Sequence, residues 1–197
     1  MVEYQKKVIT ALGIRNGPTH GEVKWCRGEP VLVEVGARCH GGEGMWQVVA
    51  DRVYRSNQIQ SSIDSYLHSE RFEALPFEVQ YKSTLFLCHQ CTKNFCCCYV
   101  QPLVKHAEGC ILYLIVHREG LFLELDPVML EEIQQLSSFV KLDLFAKSGT
   151  IIKKTIDCFS FGGIVRLVHD DARQLQADYD RIHQMTVSGL FVFGDEN

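Results

Sequence analysis

Long apolar runs are missing from this 197-residue chain. The longest, residues 110–116, falls far short of the roughly 20 residues that a membrane-spanning helix needs, so no transmembrane helix is expected. The opening segment, Met1-Val2-Glu3-Tyr4-Gln5-Lys6-Lys7, holds no apolar core, so no secretory signal peptide is expected either. An excess of positive charge is missing as well. The 20 Lys and Arg stand against 24 Asp and Glu, for a net charge of −4. That balance argues against a broad nucleic-acid surface and against a polybasic membrane patch. The sequence shows no internal repeat and no low-complexity tract. What it has is 46% apolar and 22% charged residues, an ordinary globular composition sufficient for one compact domain or two small ones. Nine cysteines are present, an odd count, and Cys96, Cys97 and Cys98 are consecutive. Adjacent cysteines bridge poorly, so reduced thiols and a cytoplasmic location are expected.

The periodicities alternate between helix and strand. Val2, Val8, Ile9 and Leu12 share one helical face, and Gly13 follows as a stop, which predicts a helix over 2–12. Asn16-Gly17-Pro18 marks a turn. Strands are predicted at 22–26 and 31–37, joined by Arg27-Gly28-Glu29-Pro30. A glycine-rich loop, 41–44, precedes helices predicted at 45–54 and 58–67, and residues 72–77 read as a connector. Further on, a buried strand is predicted at 110–117, a helix with proline in its first turn at 127–136, and a strand at 139–145. A strand pair, 151–159 with 164–169, is predicted around Gly162-Gly163. Asp170 or Asp171 caps a final helix that runs to about Met185. The mixture predicts an α+β fold.

The chemistry concentrates between Gly13 and Gly44. Asn16-Gly17-Pro18-Thr19-His20-Gly21-Glu22 leads into the first strand of the hairpin, and Val33-Glu34-Val35-Gly36-Ala37-Arg38 ends the second. Pairing across the hairpin can bring Glu22 and Glu34 onto one face. Two adjacent carboxylates repel unless a cation lies between them, and magnesium takes carboxylate oxygens together with nucleotide phosphates. Manganese suits the same oxygen ligands. Arg38 ends the strand with a guanidinium fork suited to phosphate or carboxylate. His20 and the loop containing Gly41 and Gly42 add donors, since glycine lets backbone N–H groups approach an anion. The same residues also admit plainer readings. The two glutamates can be surface carboxylates, Arg38 a structural ion-pair partner, His20 a capping or loop histidine, and residues 41–44 a simple turn.

The stretches ALGIRNGPTHGEVK and PVLVEVGARCHGGEG resemble the C-terminal metal-binding segment of ATP-grasp enzymes, in particular the carboxylate–amine (amino-acid) ligase branch. The resemblance implies the C-terminal half of an ATP-grasp domain followed by a small C-terminal subdomain. It implies that Glu22 and Glu34 hold magnesium at the ATP phosphates, and that Arg38 steadies the phosphoryl group and an acyl-phosphate. His20 of the GPTH motif then falls beside the transferred phosphate or the substrate. Many members carry an asparagine two residues after the second glutamate; here Gly36 stands there, as small residues often do in the amino-acid ligase branch. The segments HREG, LSSFVKLDLF, KKTIDCFSFGGIVRLVH and DYDRIHQM resemble the family's C-terminal subdomain. The implied substrates are ATP, a small carboxylate and an amine. The expected organisation is residues 1–68 as the metal and phosphate segment, 69–109 as a connector, and 110–190 as the small subdomain.

Two departures from the family pattern raise further expectations. The chain begins almost at the metal strands, whereas the family's adenine pocket and phosphate loop lie in a preceding lobe. A truncated product, inactive without that N-terminal lobe, is therefore expected, and a non-catalytic remnant that binds a partner is the competing reading. Residues 83–103 are far richer in cysteine than the rest and read as an atypical insertion. Within them, Cys88, Cys91, Cys96 and Cys98 offer four thiolates, but the second pair lacks the Cys-x2-Cys spacing of a zinc knuckle.

Overall fold

The computed structural model describes residues 1–75 and 105–194, and the backbone of 95–97. It is an α+β chain that divides into two compact units, Met1–His106 and Ala107–Asn197.

The first unit opens with helix α1 (Val2–Ala11). The helix stops where the sequence predicts, because Gly13 adopts a positive φ of 69° that other residues resist. Gly13 N–H then reaches Thr10 O and Ile14 N–H reaches Ile9 O, the paired bonds of a Schellman cap. A hairpin follows, β1 (His20–Cys26) and β2 (Glu29–Gly36). Its loop is only Arg27-Gly28, both at positive φ, as a type I′ turn demands. The hairpin is thus tighter than the four-residue connection the sequence suggests. Strand β3 (Phe95–Cys97) pairs with the other edge of β1, which gives the sheet order β2-β1-β3. The remainder is α2 (Gln47–Tyr54), α3 (Gln58–Leu67) and a short α4 (Ser69–Glu73), where only a connector was expected. Asn57 caps α3 by accepting from Gln60 N–H. Among the described residues of this unit, Val23, Val49, Ala50 and Val53 are the buried apolar ones.

The second unit has two three-stranded antiparallel sheets. One has the order β4-β8-β6, from β4 (Glu108–Leu114), β6 (Phe139–Leu144) and β8 (Gly163–His169). The other has the order β7-β5-β9, from β5 (Gly120–Leu125), β7 (Thr150–Ile152) and β9 (Phe191–Phe193). Helix α5 (Pro127–Gln135) is capped by Asp126, and α6 (Ala172–Ser188) by Asp171. Leu175, Asp178, Ile182, Met185 and Thr186 form the buried stripe of α6, at helical spacing. They meet a core that includes Leu112, Leu114, Phe122, Ile133, Val165 and Leu167.

One expectation fails here. The residues predicted as a strand pair, 151–159 with 164–169, do not pair with each other. β7 ends at Ile152 and joins β5, while β8 lies in the other sheet. The reason is local. Ser160 Oγ accepts from the N–H groups of both Ile156 and Asp157, and Asp157 Oδ1 accepts from Phe159 N–H. Short polar side chains thereby occupy the backbone donors that a ladder would need. Strands β5 and β9 were not anticipated from the sequence.

Candidate functional site

The hairpin register decides which side chains meet. From the turn outward, Cys26 opposes Glu29, Trp25 opposes Pro30, Lys24 opposes Val31 and Val23 opposes Leu32. Continued without change, that register would set Glu22 against Val33 and turn Glu34 to the opposite face. A bulge at Val33 of β2, facing the Glu22–Val23 step of β1, shifts the pairing, so that Glu22 opposes Glu34 and His20 opposes Gly36. Because side chains alternate along a strand, His20, Glu22 and Glu34 now share one face. Next to the bulge, Leu32 N–H donates to Tyr4 Oη of α1 at 3.1 Å, which gives this backbone donor a partner from outside the sheet.

Two carboxylates directly opposite each other across a ladder repel. Each is met by a neighbouring donor. Arg38 Nη2 donates to Glu34 Oε1 at 2.9 Å, with both side chains about half exposed (52% each). His20, only 7% exposed, bonds through Nε2 to Glu22 Oε1 at 3.1 Å. Among the described residues, the Oε2 atoms of Glu22 and Glu34 have no hydrogen-bond partner.

The loop after β2 folds back onto this face. His40 Nδ1 lies 3.0 Å from His20 Nδ1, with ring centroids 4.6 Å apart. Gln58 of α3 clamps the two segments: its Oε1 accepts from His40 N–H at 2.8 Å, and its Nε2 donates to Thr19 O at 3.0 Å. Gly42, Glu43 and Gly44 all take positive φ, and the Trp46 indole N–H donates to Gly41 O. His40 also sits beside the Trp46 ring, at 5.8 Å between centroids. Burial, above all, holds the His40 imidazole below the ordinary histidine range. His20 pushes the same way, Glu22 pulls it up, and Arg38 lowers it again.

The structure thus gathers the six residues singled out in the sequence, His20, Glu22, Glu34, Arg38, Gly41 and Gly42, on one hairpin and the loop that follows it. His20 proves to be a buried strand residue, and Arg38 in this state is the ion-pair partner of Glu34. His40, Gln58 and Trp46 carried no site expectation. His40 could have been suspected, since it stands between Arg38 and Gly41 in the same glycine-rich stretch. Gln58 carried no such signal, because only the folded helix α3 brings it to the loop. Among the described residues, no three His, Cys, Asp or Glu side chains form a cluster able to hold a metal alone. Magnesium at a nucleotide asks less of a protein, one or two carboxylates with phosphate oxygens completing the shell. The two glutamates, each with an uncommitted oxygen, fit that demand. Cys88, Cys91 and Cys98 lie outside the described residues, as does most of 83–103; the backbone of Phe95–Cys97 forms β3 beside Glu22.

No family model matches the chain. It is 23% identical over 176 residues to dapdiamide A synthase from Enterobacter agglomerans, covering 89% of this chain and 35% of that protein. The crystal structure of an L-amino acid ligase from Bacillus licheniformis superposes with a TM-score of 0.68 at 20% identity, covering 98% of this chain and 42% of the other. Phosphoribosylglycinamide synthetase from Anaerococcus prevotii matches with a TM-score of 0.61 at 14% identity, over 96% of this chain and 40% of its own. The chain therefore spans about two fifths or less of each of these proteins. Both structures are ATP-grasp ligases, and the chain has the fold of the C-terminal part of an ATP-grasp ligase.

Proposed function

We propose that this chain supplies the metal- and phosphate-handling part of an ATP-dependent carboxylate–amine ligase, in which ATP activates a small carboxylate as an acyl-phosphate and an amine displaces the phosphate to form an amide. The observation that carries this reading is the bulged hairpin register, which sets Glu22 opposite Glu34 with an uncommitted oxygen on each and Arg38 beside the pair. Dapdiamide A synthase and the L-amino acid ligase, named for products and substrates of this chemical class, lend it support.

In this reading Glu22 and Glu34 hold magnesium, or manganese, which when bound supplies Lewis-acid help and neutralises phosphate charge. Arg38 is half exposed and exchanges its bond to Glu34 for the phosphoryl oxygens, where a planar fork stabilises developing charge. The Gly41 and Gly42 backbone approaches the nucleotide or substrate anion closely, since neither carries a Cβ to keep it away. His20 holds Glu22 in place through its Nε2 and sits beside the group transferred.

Calorimetry of ATP with the 197-residue chain, with and without magnesium, tests the reading. Magnesium-dependent binding that weakens at least about tenfold, or about 1.4 kcal/mol, in Glu34→Ala is the expected result. Binding that ignores both magnesium and the substitution would overturn the metal assignment. No binding at all would mean that these residues do not form a nucleotide site without the rest of the ligase.

A further inference from the structure

The half-buried Gln58 carboxamide makes two bonds whose directions admit one assignment. A backbone N–H only donates and a backbone carbonyl only accepts. The side-chain oxygen must therefore face His40 N–H, at 2.8 Å, and the nitrogen must face Thr19 O, at 3.0 Å. The two partners flank the hairpin that carries the carboxylates. Thr19 immediately precedes β1, and His40 follows Arg38 beyond the end of β2. They lie 39 and 18 positions from Gln58 in sequence, so neither bond serves α3 itself. The helix is capped without Gln58, by Asn57 Oδ1 accepting from Gln60 N–H. One turn further along the same face of α3, Ser62 Oγ lies 3.5 Å from Cys39 Sγ. The loop held in this way has an uncommon backbone. Gly42, Glu43 and Gly44 all take positive φ, and Glu43 does so with a side chain attached. Contacts at its start fix its place: Gln58 holds His40 N–H, and the Trp46 indole N–H holds Gly41 O.

We propose that Gln58 is a positioning residue of the nucleotide site: it fixes the distance between the Gly41–Gly42 backbone and the Glu22–Glu34 pair. The proposal rests on the ligase reading above. The two halves of that site have separate supports. Hairpin register sets the carboxylates opposite each other. The loop leaves the sheet after Gly36 and is tied back to the start of β1 through the Gln58 amide, beside the contact between His40 and His20. A phosphate that touches the loop and a metal on the carboxylates must meet at bonding distance, and a misplacement of about 1 Å in such a constellation can cost about 100-fold in rate. Gln58 reaches neither group. It acts through the backbone it holds.

Two measurements on the full chain decide it. Gln58→Met keeps the length of the side chain and removes the carboxamide, and Gln60→Met, at an exposed position of the same helix, is the control. Hydrogen exchange read amide by amide should show His40 N–H exchanging at least about tenfold faster in Gln58→Met, with the amides of residues 61–67 in α3 unchanged. Unchanged exchange at His40, or equal acceleration throughout α3, overturns the proposal. In calorimetry with manganese present, ATP should bind about tenfold more weakly to Gln58→Met. Manganese alone, read by water-proton relaxation, should bind as it does to the unmodified chain, because the carboxylates keep their register. Gln60→Met should change neither. ATP affinity left untouched, or manganese and ATP weakened alike, overturns the proposal. An unmodified chain that binds no ATP bears on the ligase reading and not on the clamp, which His40 exchange then decides alone.

Discussion

Replacing Gly21 with alanine drives a methyl group into the side-chain amide of Gln5. An ideal Cβ at position 21 lies 2.0 Å from Gln5 Nε2 and 2.3 Å from its Cδ. Ordinary contact begins at 3.4 Å, so about 1.4 Å must be found by moving Gln5 or by parting α1 from β1. Gln5 is 2% exposed, so the amide has no open solvent to swing into. Overpacking of this kind costs about 1–3 kcal/mol, while alanine recovers about 0.5–1 kcal/mol over glycine in a strand. With about 1.4 Å to be found the cost lies in the upper half of that range, so Gly21→Ala is expected to destabilise the first unit by about 1–2.5 kcal/mol. The partner substitution supplies the control. Both amide atoms of Gln5 are buried without a hydrogen-bond partner among the described residues. Removing them in Gln5→Ala relieves about 1–3 kcal/mol and sacrifices the Cγ methylene, about 0.8 kcal/mol, together with the packing of the vacated amide, so that variant should lie near neutral. In the double variant the alanine methyl fills the vacated space, and stability should recover by about 1 kcal/mol over Gly21→Ala alone. The two tryptophans, Trp25 and Trp46, both belong to the first unit, so urea unfolding followed by tryptophan fluorescence reports on it selectively. Gly21→Ala as stable as the unmodified chain, or a cycle additive within about 0.3 kcal/mol, would refute the packing argument. Gly21 lies between His20 and Glu22, so the same shift of β1 should weaken magnesium-dependent nucleotide binding.

Tyr4→Phe removes the acceptor of Leu32 N–H beside the bulge, and a loss of about 1 kcal/mol is expected in the same fluorescence assay, with weakened nucleotide binding in calorimetry. Gly162→Ala would place a Cβ 2.4 Å from the Phe191 ring, a core residue, and should lower the thermal midpoint of the second unit, read by circular dichroism. Acid should destabilise the second unit. Hydrogen bonding from Lys141 holds the Asp143 carboxyl below its usual range, against burial and together with Arg166. Burial pushes Asp178 up, but hydrogen bonds from Ser138, Gln174 and Ser137 outweigh it, so this carboxyl also sits low. Carboxyls lowered in the folded state add stability that is fully present above their unfolded value of about 3.9 and lost as pH falls through the folded values. Thermal midpoints should thus hold from neutral pH to about pH 5 and fall below about pH 4. Asp178→Asn should be less stable at neutral pH but fall with a shallower slope, and an unchanged slope would count against this assignment.

The sequence determined the local elements whose signals are complete within a few residues. Helix α1 ends at Gly13 because the stop is a property of glycine's backbone. Helix α6 starts at Asp171 because the side chain caps its own helix through Arg173 N–H. The hairpin was legible for the same reason, as was the presence of two glutamates, an arginine and a histidine within one turn-strand-turn stretch. Tertiary structure decided the rest. Sheet partners in the second unit depend on which strands meet across long separations, and alternation cannot encode that; β7 therefore leaves β8 and joins β5. The facing of Glu22 and Glu34 hangs on a single bulged residue, since a slip of one position inverts every side chain of a strand, and next to that bulge stands Tyr4 from a helix near the start of the chain. The pairing of His40 with His20 likewise needs Gln58 of α3 to clamp the loop against β1. The residue types, and with them the class of chemistry, were written locally. Their geometry came from contacts between segments distant in sequence, because side-chain direction follows from backbone register and register follows from packing.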